Sequence, residues 1–301
     1  MTEANPLALT LGPVLFNWPL DQWTDFYARI ADEAPVERVV LGEVVCSKRE
    51  PFRAEAAVAA AERLARGGKE VVYATLAMPT TSRETKAIAE LVESGLPVEA
   101  NDIATVYLLK GRPHICGPFL NIYNEAALGL HLGLGATRVC LPPELPFASV
   151  ARMATIRDVV EVFAFGRPPL AISARCYHAR AHGLPKDACK YVCEEDPDGL
   201  AVDTLDGKPF LAANGVETLG ATVVAVTREV EKLRASGVAA LRLSPHSCDM
   251  VKVARIFRGL ADGKIEPQAA EAALNELKLP GPLSDGFLRG VPGARLIGEA
   301  D

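Results

Sequence analysis

Three cysteines crowd the stretch from Ser173 to Cys193, at Cys176, Cys189 and Cys193, in a chain of 301 residues that has seven in all. Arg175, His178, Arg180, His182, Pro185 and Lys186 surround them. The segment therefore lacks the periodic apolar face of a core element and reads as a loop that holds something. Thiolates bind soft metals strongly, and neighbouring cations favour the deprotonated form that a ligand must have. The spacing Cys-x12-Cys-x3-Cys supplies three ligands and requires a fourth from elsewhere. Cys46, in Gly-Glu-Val-Val-Cys-Ser-Lys-Arg, is the leading choice, and Cys248 competes with it.

The remaining thiols read differently. Cys116 and Cys140 sit within or at the end of short apolar runs, His-Ile-Cys-Gly and Arg-Val-Cys-Leu, where a cysteine behaves as a small core hydrophobe. An odd cysteine count and an N-terminal hexapeptide, Met-Thr-Glu-Ala-Asn-Pro, without the basic start and apolar core of a secretory signal argue for a reducing compartment.

His178 and His182 stand four apart and would share a face of a helix as zinc ligands. The Gly183-Leu184-Pro185 immediately after them leaves little room for one, so they read as solvated loop histidines. Asn101, Asp102, Asn121, Tyr123 and Asn124 either line a pocket or cap the helices behind them. Arg175 and Lys186 are candidates to bond metal-bound sulfurs or a substrate carboxylate, His246 to donate a proton, and Glu43 to act near the mouth.

Short β-rich runs alternate with alanine-rich amphipathic stretches, the pattern of βα units around a parallel sheet. Strands are expected over 7–16, 38–45, 70–77, 97–102, 114–120, 138–141, 159–165 and 240–243. Helices are expected over 20–32, 54–66, 81–93, 103–110, 125–134, 148–156, 222–236 and 248–260, with a peripheral one over 268–277 and a loosely ordered Gly/Pro-rich end. Eight such units close most naturally into a TIM-like (β/α)8 barrel, here with a cysteine-bearing insertion after strand 7. That insertion covers about residues 167–220 and includes an acidic turn at 194–199 and a hairpin through Leu205-Asp206-Gly207-Lys208. The barrel is expected to be a single domain over residues 1–301, with a peripheral C-terminal segment from about 264. Its chemistry belongs at the C-terminal ends of the strands, where Cys46, Asn101, Asp102, Asn124 and the insertion fall.

Composition sets outer bounds. At 49% apolar residues the chain can bury a large core, and a formal charge of −6 with scattered Lys and Arg offers no field for nucleic acid. No apolar run approaches the roughly eighteen residues that a transmembrane helix needs. A soluble, cytoplasmic protein is expected.

These residues carry a resemblance. Gly-Glu-Val-Val-Cys46-Ser-Lys-Arg, then Ser-Ala-Arg-Cys176, Pro185-Lys-Asp-x-Cys189-x3-Cys193 and Arg242-Leu-Ser-Pro245 resemble the UbiV family of peptidase U32-like proteins, over Leu11-Gly-Pro-Val through Pro245. The resemblance implies that Cys46, Cys176, Cys189 and Cys193 hold a 4Fe-4S cluster, and it favours Cys46 over Cys248, which lies outside the family pattern. It also implies a role in oxygen-independent ring hydroxylation during ubiquinone biosynthesis, on a quinone-precursor substrate. The implied partners are a UbiU-like paralogue, as a heterodimer, and a UbiT-like lipid-binding accessory protein. It identifies no catalytic residue.

Three other readings stay open. A structural zinc on four thiolates is the rival metal, although of the four only Cys189-x3-Cys193 has the tight spacing of a zinc knuckle, whereas clusters tolerate irregular spacing. A U32-type hydrolase with a structural metal and a non-catalytic scaffold stiffened by its cluster are the rival functions.

Overall fold

A computed structural model describes residues 7–298. Expectations that rest on residues 1–6 and 299–301, that for the N-terminal hexapeptide among them, lie outside the described residues.

The first seven strands are β1 (Ala8–Leu11), β2 (Arg38–Leu41), β3 (Glu70–Ala74), β4 (Val98–Ala100), β5 (His114–Cys116), β6 (Ala136–Leu141) and β7 (Val160–Gly166). The insertion and the segment beyond it contribute β8 (Pro169–Ile172), β9 (Leu200–Asp203), β10 (Pro209–Asn214), β11 (Glu217–Gly220), β12 (Val223–Ala225) and β13 (Ala240–Leu243). A last short strand is β14 (Leu283–Ser284). Strands β1 to β7 pair in sequence order, all parallel, and β13 pairs in parallel with both β7 and β1, which closes the ring. This is an eight-stranded parallel (β/α)8 barrel, as the alternation of elements predicts.

The helices form where propensity and caps agree. Ala54–Arg66 is alanine-rich, buries Ala60, Ala61 and Leu64, and stops at Gly67. Thr81 and Glu84 form a reciprocal capping box for Ser82–Glu93. Asp102 and Asn124 cap Ile103–Leu108 and Glu125–Leu134 through side-chain oxygens, so capping is their role.

Most barrel strands are shorter than the apolar runs suggest. Val14, Leu15, Phe16, Val44 and Val45 are buried, but as mouth loops packed under the insertion rather than as extended strand. The 222–236 helix is corrected: the run Val223-Val-Ala-Val226 is wholly buried and its first three residues form β12, antiparallel to β7, leaving only Val230–Ala235 helical. The C-terminal segment is also more ordered than its Gly and Pro content implies. There β14 pairs with β12, Gly286–Arg289 is helical, and Leu283 and Leu288 are buried.

The insertion has a sheet of its own, antiparallel, in the order β8-β11-β10-β9. Arg167 anchors its root by donating to the carbonyls of Gly220 (2.9 Å), Ala221 (2.7 Å) and Pro280 (2.7 Å). Inside the barrel, Arg242 on β13 donates to Glu161 on β7 and to Glu99 on β4, and Thr10 on β1 donates to Glu161 at 2.8 Å. No helix among the described residues is long and apolar enough to cross a membrane.

Candidate functional site

One cavity at the C-terminal mouth is lined by Cys46, Cys176, Cys189 and Cys193 together, with Arg49, Lys48, Lys186 and Tyr191. Cys46 lies five residues beyond β2, its N–H donating to Glu43 Oε1 at 3.0 Å, and precedes the 3-10 turn Ser47–Phe52. Cys176 starts the five-residue helix Tyr177–Ala181, where its sulfur accepts the Ala179 N–H at 3.4 Å. Between Cys189 and Cys193 the backbone turns through two left-handed residues, Lys190 (φ 51°) and Tyr191 (φ 56°). Non-glycine residues occupy that region only where the surroundings compel them.

Arg49 organises the electrostatics. Fully buried, it donates to the Leu15 carbonyl (2.7 Å), to Asn214 Oδ1 (3.1 Å) and to the Cys193 sulfur (3.7 Å), and Glu43 lies 3.7 Å away. Its Nε is buried without a partner. Burial raises the Cys46 and Cys193 thiols above their ordinary range, and the Arg49 guanidinium opposes that shift at both. Asn214 ends β10 and passes the network on to Glu217 at 2.9 Å; the same burial pushes Glu217 up to about 8. Gly215 completes the wall at φ 64°, where an added Cβ would stand 3.2 Å from Arg49 Nη2.

Cross-links pin the cysteine loop to the barrel. Lys48 Nζ donates to the Lys186 carbonyl (2.7 Å) and to Asp187 (3.1 Å), Tyr191 donates to the Lys48 carbonyl (3.4 Å), and Trp18 donates to the Pro197 carbonyl (2.6 Å). Sequence reasoning passed over Arg49, Asn214 and Tyr191. For Arg49 a signal existed, because it lies three residues after Cys46, at the end of the same short motif.

Other sequence candidates, apart from His178 at the cavity wall, are placed elsewhere. Cys248 packs beside Met250 at the barrel core, not in the cysteine cavity, and burial pushes it up to about 12. Cys116 and Cys140 are buried core thiols. The loop reading of the histidines is corrected for one of them: His178 lies on a helix, is buried, and bonds Asp196 at 2.8 Å, while the exposed His182 ring stacks on it at 5.7 Å. Asp196 closes the turn beneath the helix, so a single helical turn forms before Gly183.

His246 is not an exposed rim group. It is buried against Phe16 and Phe165, its Nδ1 faces the Ser244 carbonyl and its Nε2 accepts from Arg167 N–H at 3.3 Å, which commits both ring nitrogens. Glu43 is a buried ligand of the Val45 and Cys46 amides. Asn101 is buried, donating to the Thr75 carbonyl at 3.2 Å, and Arg175 is exposed. Asn121 and Tyr123 do line a cleft, separate from the cysteine cavity.

Fold and site define a class: a (β/α)8 barrel whose seventh unit carries an inserted cysteine loop that meets a thiol from the second unit over the mouth. The sequence profile of peptidase family U32 matches residues 19–297, and the chain belongs to that family. Solved structures with detectable similarity include the tryptophan synthase α-subunit of Pyrococcus furiosus, at 11% identity and TM-score 0.39, covering 89% of this chain and 98% of that one. Mycobacterium tuberculosis tryptophan synthase gives 14% identity and TM-score 0.38 over 63% of this chain and 90% of that one.

Proposed function

We propose that this chain is an iron–sulfur subunit that acts with a UbiU-like partner in oxygen-independent ring hydroxylation during ubiquinone biosynthesis. The observation that carries the reading is the convergence of Cys46 with Cys176, Cys189 and Cys193 on one cavity walled by a buried arginine. Membership of the U32 family supports it, because the motif bearing these cysteines resembles one branch of that family.

The donor set fits a 4Fe-4S cluster better than a single zinc ion. Tetrahedral zinc at about 2.3 Å from each sulfur would bring the sulfurs to about 3.8 Å from one another. Among the described residues the group whose ligand atoms lie within 4.8 Å of one another is His178, His182 and Asp196 rather than the cysteines, and clusters tolerate wider, irregular ligand spacing than zinc does. Arg49, Lys48 and Lys186 supply positive charge around the thiolates, and the buried Arg49 Nε is an unused donor at the same wall. Bound there, the cluster supplies one-electron redox chemistry.

The protein's own residues do the rest. Arg49 favours thiolate at Cys46 and Cys193, the left-handed pair Lys190–Tyr191 aims Cys189 and Cys193 inward, and Lys48 and Trp18 hold the loop over the mouth. The buried His246, with both nitrogens engaged, offers no mobile proton. Completion of the catalytic site is therefore assigned to the UbiU-like partner, with a UbiT-like protein delivering the lipid substrate. Anaerobic co-expression with the UbiU-like protein, followed by size-exclusion chromatography and assay of iron, sulfide and quinone intermediates, tests the reading. One co-eluting, iron-bearing complex with intermediates supports it; separate elution and colourless protein contradict it.

A further inference from the structure

The helix after Cys176 and the acidic turn after Cys193 bring together three side chains whose ligand atoms the thiol site does not use: His178, His182 and Asp196. Each offers one such atom, and these atoms all lie within 4.8 Å of one another. His178 stands in the wall of the cysteine cavity, but its Nε2 is turned to Asp196 Oδ2, 2.8 Å away. The His182 ring, one helical turn on, lies 10° from parallel to that of His178 at a centroid separation of 5.7 Å.

This spacing suits a first-row divalent ion. Tetrahedral zinc with nitrogen and oxygen ligands at about 2.0–2.1 Å sets those ligand atoms about 3.4 Å apart. An ion therefore enters when the contact between His178 and Asp196 opens by about half an ångström and the exposed His182 ring swings in. Two imidazoles and one carboxylate select zinc over magnesium and calcium, which prefer all-oxygen sites. His182 is exposed and Asp196 partly so, which leaves the fourth position to water. The exposed Glu194 and Glu195 just before Asp196 add negative charge that favours a cation.

The trio is held from outside. Trp18 donates to the Pro197 carbonyl at 2.6 Å, and Asp198 accepts the Ser247 N–H at 2.8 Å, so the turn bearing Asp196 is tied to two barrel segments. His178 is 1% exposed, and its Nδ1 is buried without a hydrogen-bond partner. In the tautomer that donates Nε2–H to Asp196, Nδ1 is left as an acceptor with nothing to accept. An ion on Nε2 instead leaves the ring proton on Nδ1, on the side of the Ala213 carbonyl, the kind of backbone acceptor that supports a metal-bound imidazole.

We propose that His178, His182 and Asp196 form a second metal site, taking one zinc ion, that clamps the two ends of the cysteine loop. Cys176 lies two residues before His178 and Cys193 three before Asp196, so the ion holds both ends of the segment that carries three thiols. The site needs no cluster in the cysteine cavity, and the proposal does not rest on one.

Calorimetric titration of full-length protein with zinc tests this on two samples, one as purified anaerobically and one with its thiols blocked by iodoacetamide. One zinc ion per chain is expected in both, with no heat from magnesium at the same concentration. Cobalt(II) on the blocked protein should show visible d–d bands without a thiolate-to-cobalt charge-transfer band. His182→Ala and Asp196→Asn should each weaken zinc at least about tenfold, the loss that removing even a supporting residue can bring, whereas Arg180→Ala on the same helix should not. Both substitutions fall on side chains open to solvent, and far-ultraviolet circular dichroism checks that the variants fold. In blocked protein zinc should slow proteolysis within 173–199 at least about twofold, and in the two variants it should not. Zinc bound in neither sample, bound only while the thiols are free, or bound undiminished by both variants would overturn the proposal.

Discussion

The Arg49 guanidinium lies 3.7 Å from the Cys193 sulfur although 144 residues separate the two, and through Asn214 and the Leu15 carbonyl it joins the second barrel unit to the insertion. A buried cation at that position favours thiolate over thiol, the form in which cysteine binds metal.

Arg49→Gln should therefore lower iron content per chain at least about twofold and destabilise the protein by about 2 kcal/mol, because Glu43 loses the nearer of two cations and keeps only Arg53, 3.9 Å away. Arg49→Lys keeps the charge but not the planar fork, and should retain more iron than Arg49→Gln. Colorimetric iron assay and urea unfolding of the anaerobic variants check both.

Glu217 makes stability depend on pH. Its folded-state value of about 8 lies above the unfolded value of 4.5, so its contribution is fully present below pH 4.5 and is lost as pH rises through 8. At pH 7 the loss amounts to about 3 kcal/mol on the linkage arithmetic. Glu217→Gln should be more stable than wild type at pH 8 and closer to it at pH 5; chemical denaturation at both values measures this, and equal differences at the two would contradict it.

Arg242→Met should cost about 3–5 kcal/mol, since it strands Glu99 in the barrel core without its cation and leaves Glu161 only Arg38, 4.0 Å away. The double variant Glu99→Gln/Glu161→Gln in the same background should recover part of that loss in urea unfolding.

Much of the barrel was legible because helix signals are local. Ala54–Arg66 and Glu125–Leu134 follow from composition, Asn124 and flanking Gly, without knowledge of the rest. Strand ends were not, since Val14–Phe16 and Val44–Val45 are apolar to cover the mouth, and nothing in their own sequence separates that from a strand interior. The β8–β11 sheet of the insertion depends on pairing between Pro169–Ile172 and Glu217–Gly220, a long-range contact with no local marker. The cysteines could be read from their density in polar surroundings. Arg49 carried one signal, its place three residues after Cys46, but its burial follows only from the fold.

The insertion's own sheet also limits what metal removal can loosen. The β8–β11 strands keep their ladder and the Arg167 anchor, whereas residues 173–199 form no strand and are tied to the barrel by scattered bonds such as Lys48 to Lys186, Trp18 to Pro197 and Ser247 to Asp198. Iron-free protein should keep its far-ultraviolet helical signal and gain protease cleavage sites confined to 173–199, as limited proteolysis with mass spectrometry would show.

The most direct measurement is iron and acid-labile sulfide per chain, with electron paramagnetic resonance after reduction, on anaerobically purified wild type and cysteine variants. Wild type should carry about four irons and four sulfides, Cys46→Ala/Cys193→Ala should lose both, and Cys116→Ala, Cys140→Ala and Cys248→Ala should retain them. Full iron and sulfide in the double variant, or zinc in place of iron in the wild type, would contradict the assignment of these four thiols to a 4Fe-4S cluster.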